Sequence, residues 1–229
     1  MSENRRINIA IDGLSGCGKS STAKAVAAKL GYTFIDSGAM YRSVTLYFIQ
    51  HKIDLTNQSE VEEALSRIKI EFQFNKELAK SETFLNQQNV EEEIRKLYVA
   101  ERVSEVAAIK SVRLAMVTQQ QEMGKQKGVV MDGRDIGSVV FPDAELKVFM
   151  TATTQVRAER RKAELEAKGE QVSLEEIMKN LEERDRIDST RAESPLIKVD
   201  DAVEIDTSNL VFEEQVEKVL NLATEKISA

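Results

Sequence analysis

The fold is decided near the amino terminus by residues 7–20, which read INIAIDGLSGCGKS. The first half places isoleucine at every second position and ends at Asp12-Gly13, a pattern that predicts a short, buried central strand. A glycine-rich loop follows, and after it apolar residues recur at helical spacing up to Gly31. The stretch therefore predicts a strand, a loop and a helix in immediate succession.

The loop fits the motif Gly-x-x-x-x-Gly-Lys-Ser over residues 13–20, named here the phosphate loop. Between a strand and a helix, its backbone N–H groups can wrap a polyphosphate, and the helix N-terminus adds partial positive charge. Lys19 would reach the β- and γ-phosphates, and the Ser20 hydroxyl would hold Mg²⁺. The alternative is a tight glycine turn with a surface lysine. The predicted ATP-binding residues are Gly13, Leu14, Ser15, Gly16, Cys17, Gly18, Lys19, Ser20 and Ser21.

Cys17 lies inside the phosphate loop, close to the start of the predicted helix. Such an environment can activate a thiol. One hypothesis is that Cys17 reacts with alkylating reagents in the free protein and is shielded by ATP. The alternative is an inert small residue that fills the loop.

Further short apolar runs alternate with helical patterns along the chain. The predicted strands cover residues 32–35, 128–131, 146–150 and 202–205. This alternation predicts an α/β fold with a five-stranded parallel sheet, whose ligands bind at the carboxyl ends of the strands. Residues 68–74 instead alternate apolar and polar side chains, which is typical of a half-exposed antiparallel strand. With a weaker strand around residues 83–90, they predict a small β insertion over residues 66–95.

Composition excludes several classes of function. The 229 residues suffice for one large domain, and the net charge of −7 gives no general attraction to nucleic acid or to anionic membranes. One histidine, His51, and one cysteine exclude a zinc site of the Cys/His type and an intrachain disulfide. His51 is predicted to be a surface residue. Since no stretch approaches 18 apolar residues, we expect a cytoplasmic protein without membrane or nucleic-acid partners.

Two segments at predicted strand ends combine a carboxylate with an arginine. Residues 36–42 read DSGAMYR and residues 132–135 read DGRD. Asp36 or Asp132 would support Mg²⁺ through water, and the arginine beyond each would bind a second anion. Either segment alone is also compatible with a helix cap or a surface ion pair. Their occurrence together at strand ends favours a second anion site.

Arginines also cluster in the carboxyl-terminal half. Arg184, Asp188 and Arg191 lie at i, i+4 and i+7, which on a helix places them on one face. Four cations fall within residues 157–162, in a segment predicted to form a mobile lid over residues 155–170. The alternative for both groups is a solvated row of ion pairs, each of which stabilises a helix by only about 0.3–0.5 kcal/mol.

Taken together, these motifs resemble the bacterial cytidylate kinases from end to end, down to the trailing Ser194-Pro195-Leu196. The resemblance implies a nucleoside monophosphate kinase fold over residues 1–229, in one domain that carries the β insertion and the lid. It also implies transfer of a phosphoryl group from ATP to CMP or dCMP with Mg²⁺, by a monomeric protein.

The resemblance further implies individual roles. Ser104, Arg113 and Asp135 would recognise the cytosine edge, and Arg184 with Asp188 the sugar hydroxyls. Arg42, Arg134 and Arg191 would bind the monophosphate, near Ser37. Lys19, Arg134, Arg157 and Arg161 would act in catalysis, the last two by closing over the transferred group. The loop at residues 206–209 would line the adenine.

Two rival interpretations keep the phosphate loop and change the rest. In the first, the acceptor is UMP, AMP or shikimate; the long β insertion and the set of base-reading residues stand against it. In the second, the protein is a nucleotide-dependent switch that hydrolyses slowly and signals through a partner. Such a switch has no need for arginine clusters at several strand ends.

Overall fold

The computed structural model describes residues 5–75, 80–167, 169 and 171–229. The strands are β1 (Asn8–Gly13), β2 (Thr33–Asp36), β3 (Ile70–Asn75), β4 (Lys80–Leu85), β5 (Gln88–Asn89), β6 (Val129–Gly133), β7 (Leu146–Thr151) and β8 (Val203–Asp206). The helices are α1 (Lys19–Leu30), α2 (Ser37–His51), α3 (Gln58–Ser66), α4 (Leu97–Ala108), α5 (Lys110–Gly124), α6 (Thr154–Glu166), α7 (Leu174–Thr190) and α8 (Phe212–Ser228).

The chain divides into two compact units. The first unit contains residues 1–34 and 123–229, and the second unit contains residues 35–122. The prediction of one domain over residues 1–229 stays a prediction. No helix in the part of the chain that the structure describes is long and apolar enough to cross a membrane.

A parallel sheet forms the centre of the first unit. Its strand order is β2-β6-β1-β7-β8 within the described residues, and β1 pairs in parallel with both β6 and β7. Every residue of β1 is buried, which explains the isoleucines at every second position. The predicted α/β fold with a parallel sheet and flanking helices is confirmed.

Helices α1 and α8 cover this sheet with small and branched side chains. Ala23, Val26 and Ala27 of α1 are buried in the same core cluster as Val216 and Val219 of α8. Helix α1 begins at the end of the phosphate loop and ends at Gly31, whose left-handed backbone satisfies the last carbonyls. The sheet and α1 thus fix both ends of the phosphate loop.

The second unit contains the predicted antiparallel insertion. Strands β3, β4 and β5 form a sheet in that order, with antiparallel pairing at both junctions. Residues 83–90 were predicted as one strand; the structure has the end of β4, a turn and β5, because Asn86 and Gln87 adopt positive φ angles of 49° and 71°. The predicted turn near Asn75-Lys76 runs into residues 76–79, outside the described residues.

Candidate active site

The phosphate loop runs from the end of β1 to the first residue of α1. Gly16 and Gly18 have φ angles of 78° and 95°, in the left-handed region where a side chain would be strained. Left-handed residues alternating with ordinary ones turn successive N–H groups toward one side and create a concave anion site. The loop therefore has the backbone conformation that the motif predicts.

Lys19 is buried at the start of α1. Its ammonium donates a hydrogen bond of 2.6 Å to the carbonyl of Leu14, across the loop. Burial lowers the pKa of Lys19, and the positive charge of Arg134 lowers it further, against the opposing effect of nearby acidic groups that include Asp132. A bound polyphosphate would add negative charge beside this buried cation and favour its charged form.

The two carboxylates predicted to support Mg²⁺ have different surroundings. Asp132, at the end of β6, accepts a hydrogen bond of 2.5 Å from the Ser20 hydroxyl. Asp36, in the second unit, caps α2 by accepting from the N–H of Ala39 and forms ion pairs with Arg42 and Arg95 at 3.1 and 3.3 Å. Burial raises the pKa of Asp36, but these two guanidinium groups bring the net pKa below its usual value.

A second cluster of charges in the first unit joins the end of β6 to α7. The Arg134 Nε donates to Asp188 at 2.8 Å, and Arg191 lies 3.6 Å from Asp188 and 3.8 Å from Asp135. Burial lowers the pKa of Arg134, but the Asp188 carboxylate raises it overall, so Arg134 stays charged. Arg184 is half-buried on α7, one turn before Asp188.

Arg191 directly follows the last residue of α7. Its N–H still bonds to the carbonyl of Ile187 and its φ of −62° is helical, so its side chain leaves on the same side as that of Asp188. Its ψ of 145° turns only the chain that follows out of the helix. Its guanidinium is fixed by two hydrogen bonds to the carbonyl of Ser194. The contact to Asp188 therefore runs along the side of the helix, from one residue to the third before it.

The two predicted lid arginines also differ in their surroundings. Arg157 has only 3% of its surface exposed and donates to Asp185 at 2.7 Å and to the Ser15 carbonyl at 3.1 Å. Arg161 is exposed and pairs with Glu164 on the same helix. Of the two, only Arg161 has the exposure expected of a residue in a mobile lid.

Four of the predicted acceptor-binding residues belong to the second unit. Ser37 is the first residue of α2, and Arg42 follows on the same helix with a buried Nε that has no hydrogen-bond partner among the described residues. Ser104 lies on α4. Arg113, buried on α5, has its guanidinium 5.4 Å from the centre of the Tyr41 ring. A buried arginine nitrogen without a partner is a group that a bound anion can satisfy.

Comparison with known proteins decides the family. The family model described as cytidylate kinase matches residues 9–225. This chain belongs to the cytidylate kinase family. The cytidylate kinase of Cytophaga hutchinsonii is 57% identical over 223 residues, which cover 97% of this chain and 95% of that protein. The cytidylate kinase of Flavobacterium psychrophilum is 55% identical over 221 residues, which cover 95% of this chain and 98% of that protein.

Among solved structures, a shikimate kinase from Bacteroides thetaiotaomicron matches with a TM-score of 0.46 and 15% identity, covering 96% of this chain and 99% of that one. A likeness at this level does not bear on the acceptor. Membership of the cytidylate kinase family confirms the resemblance seen in the sequence and the prediction of a phosphotransferase.

The structure shows a carboxylate close to the predicted site that the sequence analysis did not single out. Asp12, at the end of β1, accepts hydrogen bonds from the backbone N–H groups of Ile136 at 2.8 Å and Gly137 at 2.7 Å. Burial raises the pKa of Asp12 to about 6, because it outweighs the stabilisation from these two donors. The only sequence signal was an acidic residue at the end of a buried strand. Arg160, one of the four cations predicted for the lid, and Asp185 also contact predicted site residues, although the sequence indicated no role for either one individually.

The hypothesis of a reactive Cys17 does not agree with the structure. The side chain is fully buried and belongs to the core cluster between the sheet and its helices. Reagents reach a thiol only when it is exposed. Cys17 is therefore the small filling residue of the alternative interpretation.

Proposed function

We propose that this protein transfers the γ-phosphoryl group of ATP to CMP or dCMP, giving ADP and CDP or dCDP. The observation that carries the proposal is the arginine cluster of Arg134 and Arg191 in the same unit as the phosphate loop, in a chain of this family. Arg134 is near enough to lower the pKa of Lys19, so two cations lie where two phosphates would be neutralised.

The proposed chemistry needs positioning and charge stabilisation more than proton transfer. The phosphate of CMP is mostly ionised at neutral pH and is itself the nucleophile, so no general base is required. One of its oxygens forms a bond to the γ-phosphorus while the bond from that phosphorus to the β,γ-bridging oxygen breaks, and ADP leaves with the electron pair. Lys19 and Arg134 would stabilise the negative charge spread over the transferred group.

The residues present fit a magnesium ion. Ser20 and Asp132 would hold it, since hydroxyl and carboxylate oxygens are the ligands that Mg²⁺ prefers, and they already contact each other. Phosphate oxygens of the nucleotide would complete the coordination. Among the described residues, no group of three His, Cys, Asp or Glu side chains could hold a metal ion by itself. When bound, the ion would neutralise phosphate charge. Asp36 fits less well, because Arg42 and Arg95 already engage its carboxylate.

For the acceptor, the proposal includes the residue roles that the resemblance to the cytidylate kinases implies. Ser104, Arg113 and Asp135 would recognise cytosine, whose O2 and N3 accept hydrogen bonds and whose amine donates them. The sugar and phosphate would be bound by Ser37, Arg42, Arg134, Arg184, Asp188 and Arg191. Residues 155–170 would form the lid. The exposed Arg161 would reach the transferred group, and the buried Arg157 would act together with it.

The test is an acceptor panel. The purified protein is incubated with ATP, Mg²⁺ and one of CMP, dCMP, UMP, AMP or shikimate, and the phosphorylated product is identified by chromatography. We expect CDP and dCDP to form fastest. A preference for UMP, AMP or shikimate would refute the proposed acceptor, and ADP release that needs no acceptor would favour a nucleotide switch.

A further inference from the structure

Helix α6 packs directly against the phosphate loop. A Cβ atom added at Gly16 would lie 3.3 Å from the Arg157 Cβ, which is tighter than an ordinary van der Waals contact. From this close position, Arg157 donates from Nη1 to the Ser15 carbonyl at 3.1 Å. One turn further along, Arg160 donates from Nη1 to the Cys17 carbonyl at 3.4 Å. Two arginines of one helix thus hold two alternate carbonyls of the loop.

A threonine strengthens the second of these contacts. Thr207, fully buried just after β8, has its hydroxyl 2.9 Å from the Cys17 carbonyl and 3.0 Å from the Thr151 carbonyl, and its one proton is shared between these two acceptors. Arg160 donates to the same hydroxyl at 3.1 Å and to the Thr207 carbonyl at 2.8 Å. Both terminal nitrogens of Arg160 are therefore fixed, and the Cys17 carbonyl accepts from the Arg160 guanidinium and from the shared proton of the Thr207 hydroxyl.

These contacts have a consequence for the N–H groups of the loop. In a planar trans peptide, the carbonyl of one residue and the N–H of the next point in opposite directions. Because the carbonyls of Ser15 and Cys17 point at the α6 side chains and Thr207, the N–H groups of Gly16 and Gly18 point away from them. Both donors are then directed toward the concave side of the loop before a nucleotide arrives.

We propose that Arg160, together with Thr207, is a positioning residue that presets the phosphate loop for the polyphosphate of the nucleotide without touching the nucleotide itself. This role rests on the proposed function only in that the loop binds ATP. The chemistry recognised is a chain of phosphate groups. The rival explanation is that Arg160 contacts the adenine, because Thr207 belongs to the loop predicted to line the base.

The two explanations differ in their effect on a ligand that has no base. We suggest measuring dissociation constants by calorimetry for ATP, inorganic tripolyphosphate and CMP, with the wild type and Arg160→Gln. We expect ATP and tripolyphosphate to weaken in parallel, each by about tenfold, the scale of one lost hydrogen bond from a charged group. CMP binding should change less than twofold. A matched control on the same helix is Lys162→Gln, since Lys162 is only partly buried and pairs only weakly with Glu166 at 3.7 Å.

Two other results of these binding measurements would refute the proposal. A loss confined to ATP would place Arg160 at the adenine, and unchanged binding of both phosphate ligands would leave it without a role in the loop. If Arg160→Gln fails to melt cooperatively, Thr207→Val decides in its place, compared with Thr207→Ser, which keeps the hydroxyl. The measurement is independent of the acceptor: a protein that fails to phosphorylate CMP but shows the parallel loss would refute the proposed function alone.

Discussion

Lys19 is the residue whose surroundings point most directly to an anionic ligand. Its ammonium is buried, is held by one backbone carbonyl and lies near a second cation, Arg134. An ammonium in this position is costly unless a negative charge arrives, since burial disfavours the charged form. Binding of the phosphates would therefore offset the free-energy cost of burying the charged ammonium of Lys19.

We expect Lys19→Ala to lower kcat/KM for ATP at least about a hundredfold, the scale for losing one preorganised charge donor. Steady-state kinetics with CMP at saturation measure it. Lys24→Ala serves as the control, because Lys24 is on the same helix and exposed. Wild-type turnover in Lys19→Ala would remove the lysine from the reaction.

Asp12 gives a prediction for the pH dependence of stability. Because burial raises its pKa from 3.8 to about 6, the folded state holds this proton more tightly than the unfolded state. Protonated Asp12 therefore stabilises the folded state fully below about pH 3.8, and this stabilisation is lost as the pH rises through about 6. At 1.36 kcal/mol per pKa unit, the free energy of unfolding falls by about 3 kcal/mol over this range. Between pH 5 and 7.5, we expect the wild type to lose about 1 kcal/mol relative to Asp12→Asn.

Urea unfolding of both proteins at the two pH values measures this difference, and the other titrating groups cancel between them. A difference that stays constant, or that moves in favour of the wild type as the pH rises, would show that Asp12 is already ionised in the folded protein at low pH.

Asp188 gives a prediction for the sugar. In Asp188→Ala, we expect the KM for CMP to rise more than the KM for dCMP, because only CMP would lose a contact to its 2′-hydroxyl. Both should weaken to some extent, since Asp188 also holds Arg134 at 2.8 Å and Arg191 at 3.6 Å. Equal losses for the two substrates would remove Asp188 from sugar recognition and leave it as a support for the arginines.

At the scale of elements, the packing of α6 on α7 includes a buried ion pair as well as apolar contacts. Arg157 is 3% exposed and reaches Asp185 on α7, above a small apolar cluster that includes Ile177 and Leu181. Removing one partner leaves the other charge buried without compensation. We therefore expect Asp185→Asn to lower the free energy of unfolding by about 3 kcal/mol, at the lower end of the effect for buried pairs because Asp185 keeps some exposure.

The same helix provides the control. Glu183 pairs with Arg186, and both are exposed, so Glu183→Gln should change the stability by less than about 1 kcal/mol. Chemical denaturation measures both variants. Equal effects of the two substitutions would mean that the Arg157–Asp185 pair contributes no more than a surface pair.

The order of elements was predictable from the sequence to a large extent, whereas their contacts were not. Alternate isoleucines identified β1, and the change to apolar–polar alternation at residues 68–74 identified the antiparallel insertion. The burial of Arg157 was missed, since an arginine beside three other cations is usually solvated.

At the scale of the whole molecule, the predicted site residues occur in both units of the chain. The first unit carries the phosphate loop, the Ser20–Asp132 contact and the Arg134 cluster, and the second carries Arg42, Ser104 and Arg113. Motifs in the sequence indicated the phosphate loop, Asp132, Arg134 and Arg42, whereas Ser104 and Arg113 came only from the resemblance to the family. The supporting contacts made by Asp12, Asp185 and Arg160 join residues more than 20 positions apart, and spacing along one sequence does not report such pairs.

The central claim is that one phosphoryl group passes directly from ATP to a second bound phosphate. The most direct measurement follows ATP labelled in the γ-phosphate during incubation with CMP and Mg²⁺, and counts label in CDP and in free phosphate. The account predicts one labelled CDP for each ADP formed and almost no free phosphate. Label that appears as free phosphate, at a rate that CMP does not change, would contradict it.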